Sequence, residues 1–293
     1  MPPFKYTDAQ NTSVVPPDRA RAAGSQRPSL SDGAPATNAK HLLSCALWGA
    51  GAERVIVLHD WNGDHTTYDP MLSYLDRETF TYAFVDLRGY GGSRDLVGDY
   101  TVSEISRDCL ALADAFGWER FHIVGHSMTG MATQRIAADA PRRVKSAIAL
   151  CPMSAAGSPA DAQGLAFFAL TTQSDDAFRR MIRFVSGELS EGWADAKLRQ
   201  NRETVAPACR AGYLAMFSGP GFVEDVRGLE TPFLVVVGAH DPGIDEAAMS
   251  RTFLAWHPNC ELQVIANCGH YPMQECPPYL AAVMEGFLRR HAP

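Results

Sequence analysis

From residue 41 onward, short and nearly continuous apolar runs alternate with longer stretches whose apolar residues recur every three or four positions. The runs are "HLLSCALWG", "AGAERVIVLHD", "TYAFVDLR", "FHIVGH", "VKSAIALCP", "TPFLVVVGAHD" and "CELQVIANCGH", punctuated by turn residues. Such runs predict strands buried on both faces of a parallel sheet, the first two read as a strand, a Gly-containing turn and a second strand. Between them, "TVSEISRDCLALADAFG" opens with Thr101 and Glu104 at the spacing of a capping box. Its Ile105, Cys109, Leu112 and Phe116 fall on one helical face, and Gly117 ends it. "MTGMATQRIAADAP", "EAAMSRTFLAWHP" and "PPYLAAVMEGFLRRH" predict further helices. Strands alternating with helices give an α/β fold with a mainly parallel central sheet flanked by helices.

Two regions break the alternation. Residues 155–227 hold no convincing strand but carry "LAFFAL", "FRRMIRFVSG", "EGWADAKL" and "AGYLAMF", which predicts a helical cap inserted between two strands. Residues 1–40 are rich in Pro, Ser, Gly, Ala and Asn and predict a flexible tail. The α/β core is therefore assigned to residues 41–154 and 228–293. No internal repeat is found.

Composition narrows the function classes. A chain of 293 residues, 46% hydrophobic and 20% charged with net charge −7, is ordinary for a globular protein and offers no basic stripe for nucleic acid. No apolar run is long enough for a bilayer, so no membrane association is expected. The seven cysteines form no Cys-x-x-Cys pair, and with no apolar core of a secretory signal near the N-terminus they predict a cytoplasmic location. Cys260, Cys268 and Cys276 lack the tight pairing of zinc sites and are taken as structural. "HDWNGDH" lacks the spacing of a helical metal motif, and no Gly-rich phosphate loop is present, so neither metal nor cofactor is expected.

Three residues stand at the ends of predicted strands: Ser127 after "FHIVGH", Asp241 after "FLVVVGAH" and His270 after "LQVIANCG". Sites of open α/β sheets assemble at the carboxyl ends of strands. A serine hydroxyl becomes a nucleophile when an imidazole takes its proton, and a carboxylate holds that imidazole in the right tautomer. These residue types in this order predict Ser127 as nucleophile, His270 as base and then acid, and Asp241 as its orienter. Asp245 competes for the last role, and Asp241 is favoured because it directly ends the apolar run.

From about residue 41 the chain resembles the α/β-hydrolase fold superfamily, as a serine hydrolase with a helical cap. "VLHDWNG" is similar to the family's His-Gly-containing loop, "DLRGYGGS" to its loop after the next strand, "VGHSMTG" to the nucleophile elbow, "VVVGAHDP" to the acid loop and "NCGHYPMQECP" to the histidine loop. The resemblance implies an oxyanion hole made by the backbone N–H groups of Trp61 and Met128. Two positions depart from the family pattern. Thr129 stands where the elbow has its second glycine, at an expected cost of up to ~1 kcal/mol. Asp60 stands where the oxyanion loop has glycine, and its carboxylate is expected to point away from the site toward loop amides or an Arg.

Phe167, Phe168, Phe178, Phe184, Trp193, Tyr213 and Phe217 load the predicted cap with apolar surface, some packing the helices together and some lining a pocket. Arg179, Arg180, Arg183, Arg199, Arg202 and Arg210 are read as a solvated helix face. The expected function is cleavage of a carboxylic ester or lactone of a small, partly apolar molecule by a monomer or homodimer. Carbon–carbon bond hydrolysis, perhydrolysis and slow-turnover ligand reception are the alternatives, since all use the same triad.

Overall fold

The computed structural model describes residues 42–187 and 189–292. The tail expected over residues 1–40 lies outside them. Seven strands form one sheet: β1 (Cys45–Trp48), β2 (Glu53–Leu58), β3 (Phe80–Val85), β4 (Phe121–His126), β5 (Val144–Leu150), β6 (Phe233–Gly238) and β7 (Cys260–Ile265). Their order is β1-β3-β2-β4-β5-β6-β7, and each pairing is parallel except that of β1 with β3. The first two strands of the chain are therefore not neighbours. β1 lies antiparallel to β3, Cys45 opposite Val85, and β3 separates it from β2. β3, β4 and β6 are buried along their whole length, whereas β1 and β7, at the two edges, are only partly covered. Their composition follows that difference: the inner strands are nearly all apolar, while β7 carries Glu261 and Gln263.

Among the described residues the helices are α1 (Val102–Ala115), α2 (Thr129–Asp139), α3 (Ala162–Thr171), α4 (Asp175–Val185), α5 (Glu191–Thr204), α6 (Pro207–Ser218), α7 (Val223–Val226), α8 (Glu246–Arg251), α9 (Phe253–Trp256), α10 (Pro272–Glu275) and α11 (Pro277–Arg290). α3 to α7 all fall between β5 and β6, the stretch expected to be helical. Only half of the capping box on α1 forms. Thr101 accepts from the Glu104 amide, but the Glu104 carboxylate takes the Tyr100 amide, at 2.8 Å, instead of turning back to Thr101. The helix expected over "EAAMSRTFLAWHP" is broken at Thr252, whose φ of −118° and ψ of −93° re-aim the chain so that Phe253 and Trp256 reach buried positions. No helix among the described residues is long and apolar enough to cross a membrane.

The sheet order places one topological switch. β2 is followed by β3 on one side and by β4 on the other, so the loops leaving the carboxyl ends of β2 and β4 diverge and open a crevice. Leu58, the last residue of β2, is opposite Gly125 in β4, which puts His59–Trp61 level with the turn carrying Ser127.

Candidate active site

Ser127 occupies the turn between β4 and α2 with φ +57°, a left-handed conformation unusual for a residue with a side chain. The neighbours explain how the turn closes. A Cβ at Gly125 would lie 2.4 Å from the Thr129 carbonyl oxygen, so only glycine permits this approach of strand to helix. The Ser127 amide donates to Leu150 O of β5 at 2.9 Å, and its carbonyl accepts the Gly130 and Met153 amides.

Thr129 is fully buried and does more than fit. Its hydroxyl accepts from the His126 amide at 2.8 Å and has the His126, His59 and Leu58 carbonyl oxygens at 2.9, 3.0 and 3.3 Å as acceptors for its proton. It thus ties the turn after β4 to the loop after β2. Thr129→Val keeps the shape and removes these bonds; it is expected to lower the unfolding free energy by about 1–3 kcal/mol. Thr129→Gly, the residue of the family pattern, is expected to destabilise as well. Urea unfolding of both variants measures this, and wild-type stability in Thr129→Gly would mean that the threonine is merely tolerated.

His270 and Asp241 come together as expected. His270 Nδ1 is 2.5 Å from Asp241 Oδ2, and both side chains are buried. Asp241 Oδ1 accepts the Gly243 and Ile244 amides at 3.2 and 3.3 Å, so the carboxylate is held by its own loop. Asp245, the competitor, is exposed and caps α8 through the Ala248 amide. Burial opposes protonation of His270, but the charge of Asp241 and the bond to it raise the imidazole above its ordinary value. With Nδ1–H donated to Asp241, the basic nitrogen is Nε2. Ser127 and His270 line the same pocket, and no hydrogen bond joins them in this structure. Such bonds often tighten only when substrate is bound.

The loop after β2 is built on His59. Its Nε2 accepts the Leu87 amide at 3.1 Å, which makes Nδ1 the protonated nitrogen, donating to Asp60 O at 2.7 Å. The Asp60 carboxylate is fully buried, and its Oδ2 accepts from the Asn62 amide and the Tyr271 hydroxyl at 3.1 and 2.8 Å. The loop amide was expected; the Arg was not found, and its place is taken by buried Lys197 of α5. Burial by itself raises Asp60, but the Lys197 ammonium, the nearby histidines and the Tyr271 bond more than offset it and hold the carboxyl well below its usual range. Tyr271 and Lys197 gave no signal in the sequence: a Tyr after the histidine and a Lys on a polar helix acquire their roles only by packing on Asp60.

Among the described residues, no protein acceptor takes the Trp61 or Met128 amide. Trp61 lines the pocket, with its indole nitrogen donating to Arg210 O at 3.0 Å. Arg210 corrects the reading of a solvated arginine face. It is 2% exposed, its guanidinium lies 4.4 Å from the Trp61 ring and 5.5 Å from Phe178, and it donates to Thr171 O and Oγ1. Burial lowers it to about 10. Arg179, Arg183 and Arg202 do pair with carboxylates toward solvent.

The pocket has a volume of about 380 Å³ and is walled by Trp61, Met153, Phe167, Phe168, Phe217 and Ile244, with Met181, Phe184 and Val185 of α4 above. Phe178 and Tyr213 pack inside instead, and Trp193 meets Tyr271 edge to face and donates to Gln274. Among the described residues, two groups of side chains have the donor atoms for a metal: Cys151 with Asp241 and His270, and Asp64 with His65 and Asp86. In the first, Asp241 and His270 are already bonded to each other. In the second, Asp86 accepts from the His65 and Gly92 amides and from the His65 ring. All seven cysteines are free thiols.

Comparison with known proteins gives the family. The chain is 28% identical over 239 residues to the dihydrolipoyllysine-residue acetyltransferase component of the acetoin cleaving system of Cupriavidus necator, a match covering 78% of this chain and 61% of that protein. The chain thus spans about three fifths of that relative. It is 28% identical over 233 residues to 2-hydroxymuconate semialdehyde hydrolase of Pseudomonas putida, covering 74% and 79%. An esterase structure from Exiguobacterium antarcticum superposes with a TM-score of 0.76 at 14% identity, covering 84% of this chain and 95% of that one. The family model described as alpha/beta hydrolase fold matches residues 53–275. With the elbow at the switch point of the sheet and the acid and histidine on the loops after β6 and β7, the chain belongs to the α/β-hydrolase fold family.

Proposed function

We propose that the protein is a cofactor-independent serine hydrolase that cleaves a carboxylic ester or lactone of a small, uncharged and largely apolar molecule. The observation that carries this reading is the Asp241–His270 pair facing the pocket that holds Ser127 on its strained turn. Ser127 Oγ attacks the carbonyl carbon while His270 Nε2 takes its proton. The developing oxyanion meets the Trp61 and Met128 amides, which have no protein acceptor among the described residues and so remain available to it. The imidazolium, stabilised by Asp241, protonates the leaving alcohol, and a water activated by His270 then releases the acid. α3 to α6 act as a cap that excludes bulk water.

The charge of the substrate follows from the wall. Among the described residues lining the pocket none is Lys or Arg. Arg210 is stacked behind Trp61 and Lys197 is held by Thr67 and Gln200, so neither is free to receive a carboxylate. A charged acyl group would be desolvated there without a partner, which is costly.

A fluorophosphonate is expected to modify Ser127, located by mass spectrometry. Esters with neutral apolar acyl groups are expected to turn over with kcat/KM at least about tenfold above matched esters bearing a free carboxylate, the equivalent of ~1.4 kcal/mol of transition-state discrimination. A folded protein left unlabelled would overturn the serine mechanism. A preference for the anionic esters would overturn the substrate class.

A further inference from the structure

We propose that Glu275 is a positioning residue that sets where His270 stands and makes the histidine loop and the helices over the pocket one mechanical unit. The inference rests on the reading of His270 as the base. Glu275 is the last residue of α10, five positions after the histidine. Its Oε2 accepts the Gly269 amide at 2.6 Å and its Oε1 the Tyr271 amide at 2.9 Å, so one carboxylate holds the peptide units on both sides of His270. The same Oε2 accepts the Gly187 amide at 2.8 Å, just beyond α4. The His270 amide itself donates to Val185 O, the last residue of α4, at 2.8 Å. Two of these four hydrogen bonds, Gly187 to Glu275 and His270 to Val185, thus link the end of α4 to the histidine loop, and the other two brace that loop from within.

The fit leaves no slack. A Cβ at Gly187 would lie 2.6 Å from Glu275 Oε2 and 3.0 Å from the Gly269 nitrogen, and a Cβ at Gly269 would lie 2.4 Å from the Gly187 nitrogen. Only two glycines facing each other allow the backbones to come this close. On the other side, a Cβ at Gly238, the last residue of β6, would meet the Gly269 carbonyl oxygen at 2.2 Å. The histidine loop is therefore wedged between the end of β6 and the chain leaving α4, with the Glu275 carboxylate as its fastener. Phe184 and Val185 line the pocket, so a substrate that presses on them presses on the same unit that carries His270.

A carboxylate is the group this clamp requires, because all its partners are N–H donors. Glu275→Gln can keep an oxygen toward Gly187 and Gly269 only by turning its NH₂ toward the Tyr271 amide, a donor facing a donor. The expected result is a fall in kcat of about 10- to 100-fold on an ester that wild type cleaves, with KM changed less than threefold. Gly187→Ala forces the clamp apart from the other side without touching the histidine loop's sequence. It is expected to reproduce the kcat loss, and the double variant is expected to be no worse than the poorer single one, since both act through one contact.

A role in folding alone would lower the melting temperature and leave kcat of the folded fraction intact. The proposal is overturned if folded Glu275→Gln keeps kcat within threefold of wild type, or if the two losses multiply in the double variant. Where Glu275→Gln does not fold, Gly187→Ala decides on the same kcat criterion. His270→Ala is run beside them. If it is phosphonylated at Ser127 as fast as wild type, the reading of His270 as base fails, whatever Glu275 does.

Discussion

Ser127→Ala is expected to lower turnover of a responsive ester by ~10⁴-fold or more while leaving the melting temperature close to that of wild type. The size of the loss follows from the position of the hydroxyl. Ser127 lines the pocket together with His270 and Trp61, and Met128 follows it in the chain, so without its hydroxyl those groups can act only on a bound water. The stability expectation is separate. Ser127 has a φ of +57°, and alanine in that conformation meets a comparable backbone penalty, so the strain is present in both proteins. Steady-state kinetics on one ester and a thermal melt read both quantities. A variant retaining more than a tenth of wild-type activity would move the nucleophile elsewhere and would sink the acyl-enzyme mechanism.

Asp241→Asn is expected to lower kcat/KM by about 10³–10⁴-fold at neutral pH, because an amide in that position no longer selects the Nδ1–H tautomer nor stabilises the imidazolium. The pH profile gives the sharper reading. His270 must be neutral to act as base, and Asp241 raises its affinity for a proton. In wild type, kcat/KM should therefore climb with pH through a midpoint above the ordinary histidine value of about 6.5, since activity is lost wherever the imidazole is already protonated. Removing the Asp241 charge removes the main cause of the rise, so in the variant the residual activity should titrate at a lower pH. An acid limb that stays in place would mean that a group other than His270 controls it.

The departures from the family pattern show where a sequence reading stops. Thr129 reads as a tolerated intruder as long as only its bulk and β-branching are considered. In the fold its hydroxyl is the tie between the elbow and the loop after β2. Asp60 reads as an electrostatic liability beside the oxyanion site. In the fold its charge is turned into a buried network with Tyr271 and Asn62, compensated by Lys197 from a helix 137 positions away in sequence. Arg210 reads as one of six solvated cations, yet it stacks on Trp61 and holds its indole, which none of its sequence neighbours predicts.

The chain by itself determined the α/β class, because strands buried on both faces need continuous apolar runs and the flanking helices need an apolar stripe, and both periods are local properties. It also singled out Ser127, His270 and, in preference to Asp245, Asp241 as candidates, since each stands at the end of an apolar run. What tertiary structure decided was everything that depends on contacts between segments far apart. These are the pairing of β1 with β3, the bond between Asp241 and His270, the partners of Asp60 and the fastening of the histidine loop by Glu275 to Gly187. A buried polar group must be paired, but the rule does not name the partner. The packing of segments far apart in the chain does that, the loops after β2, β6 and β7 against one another and the helices between β5 and β6 over them.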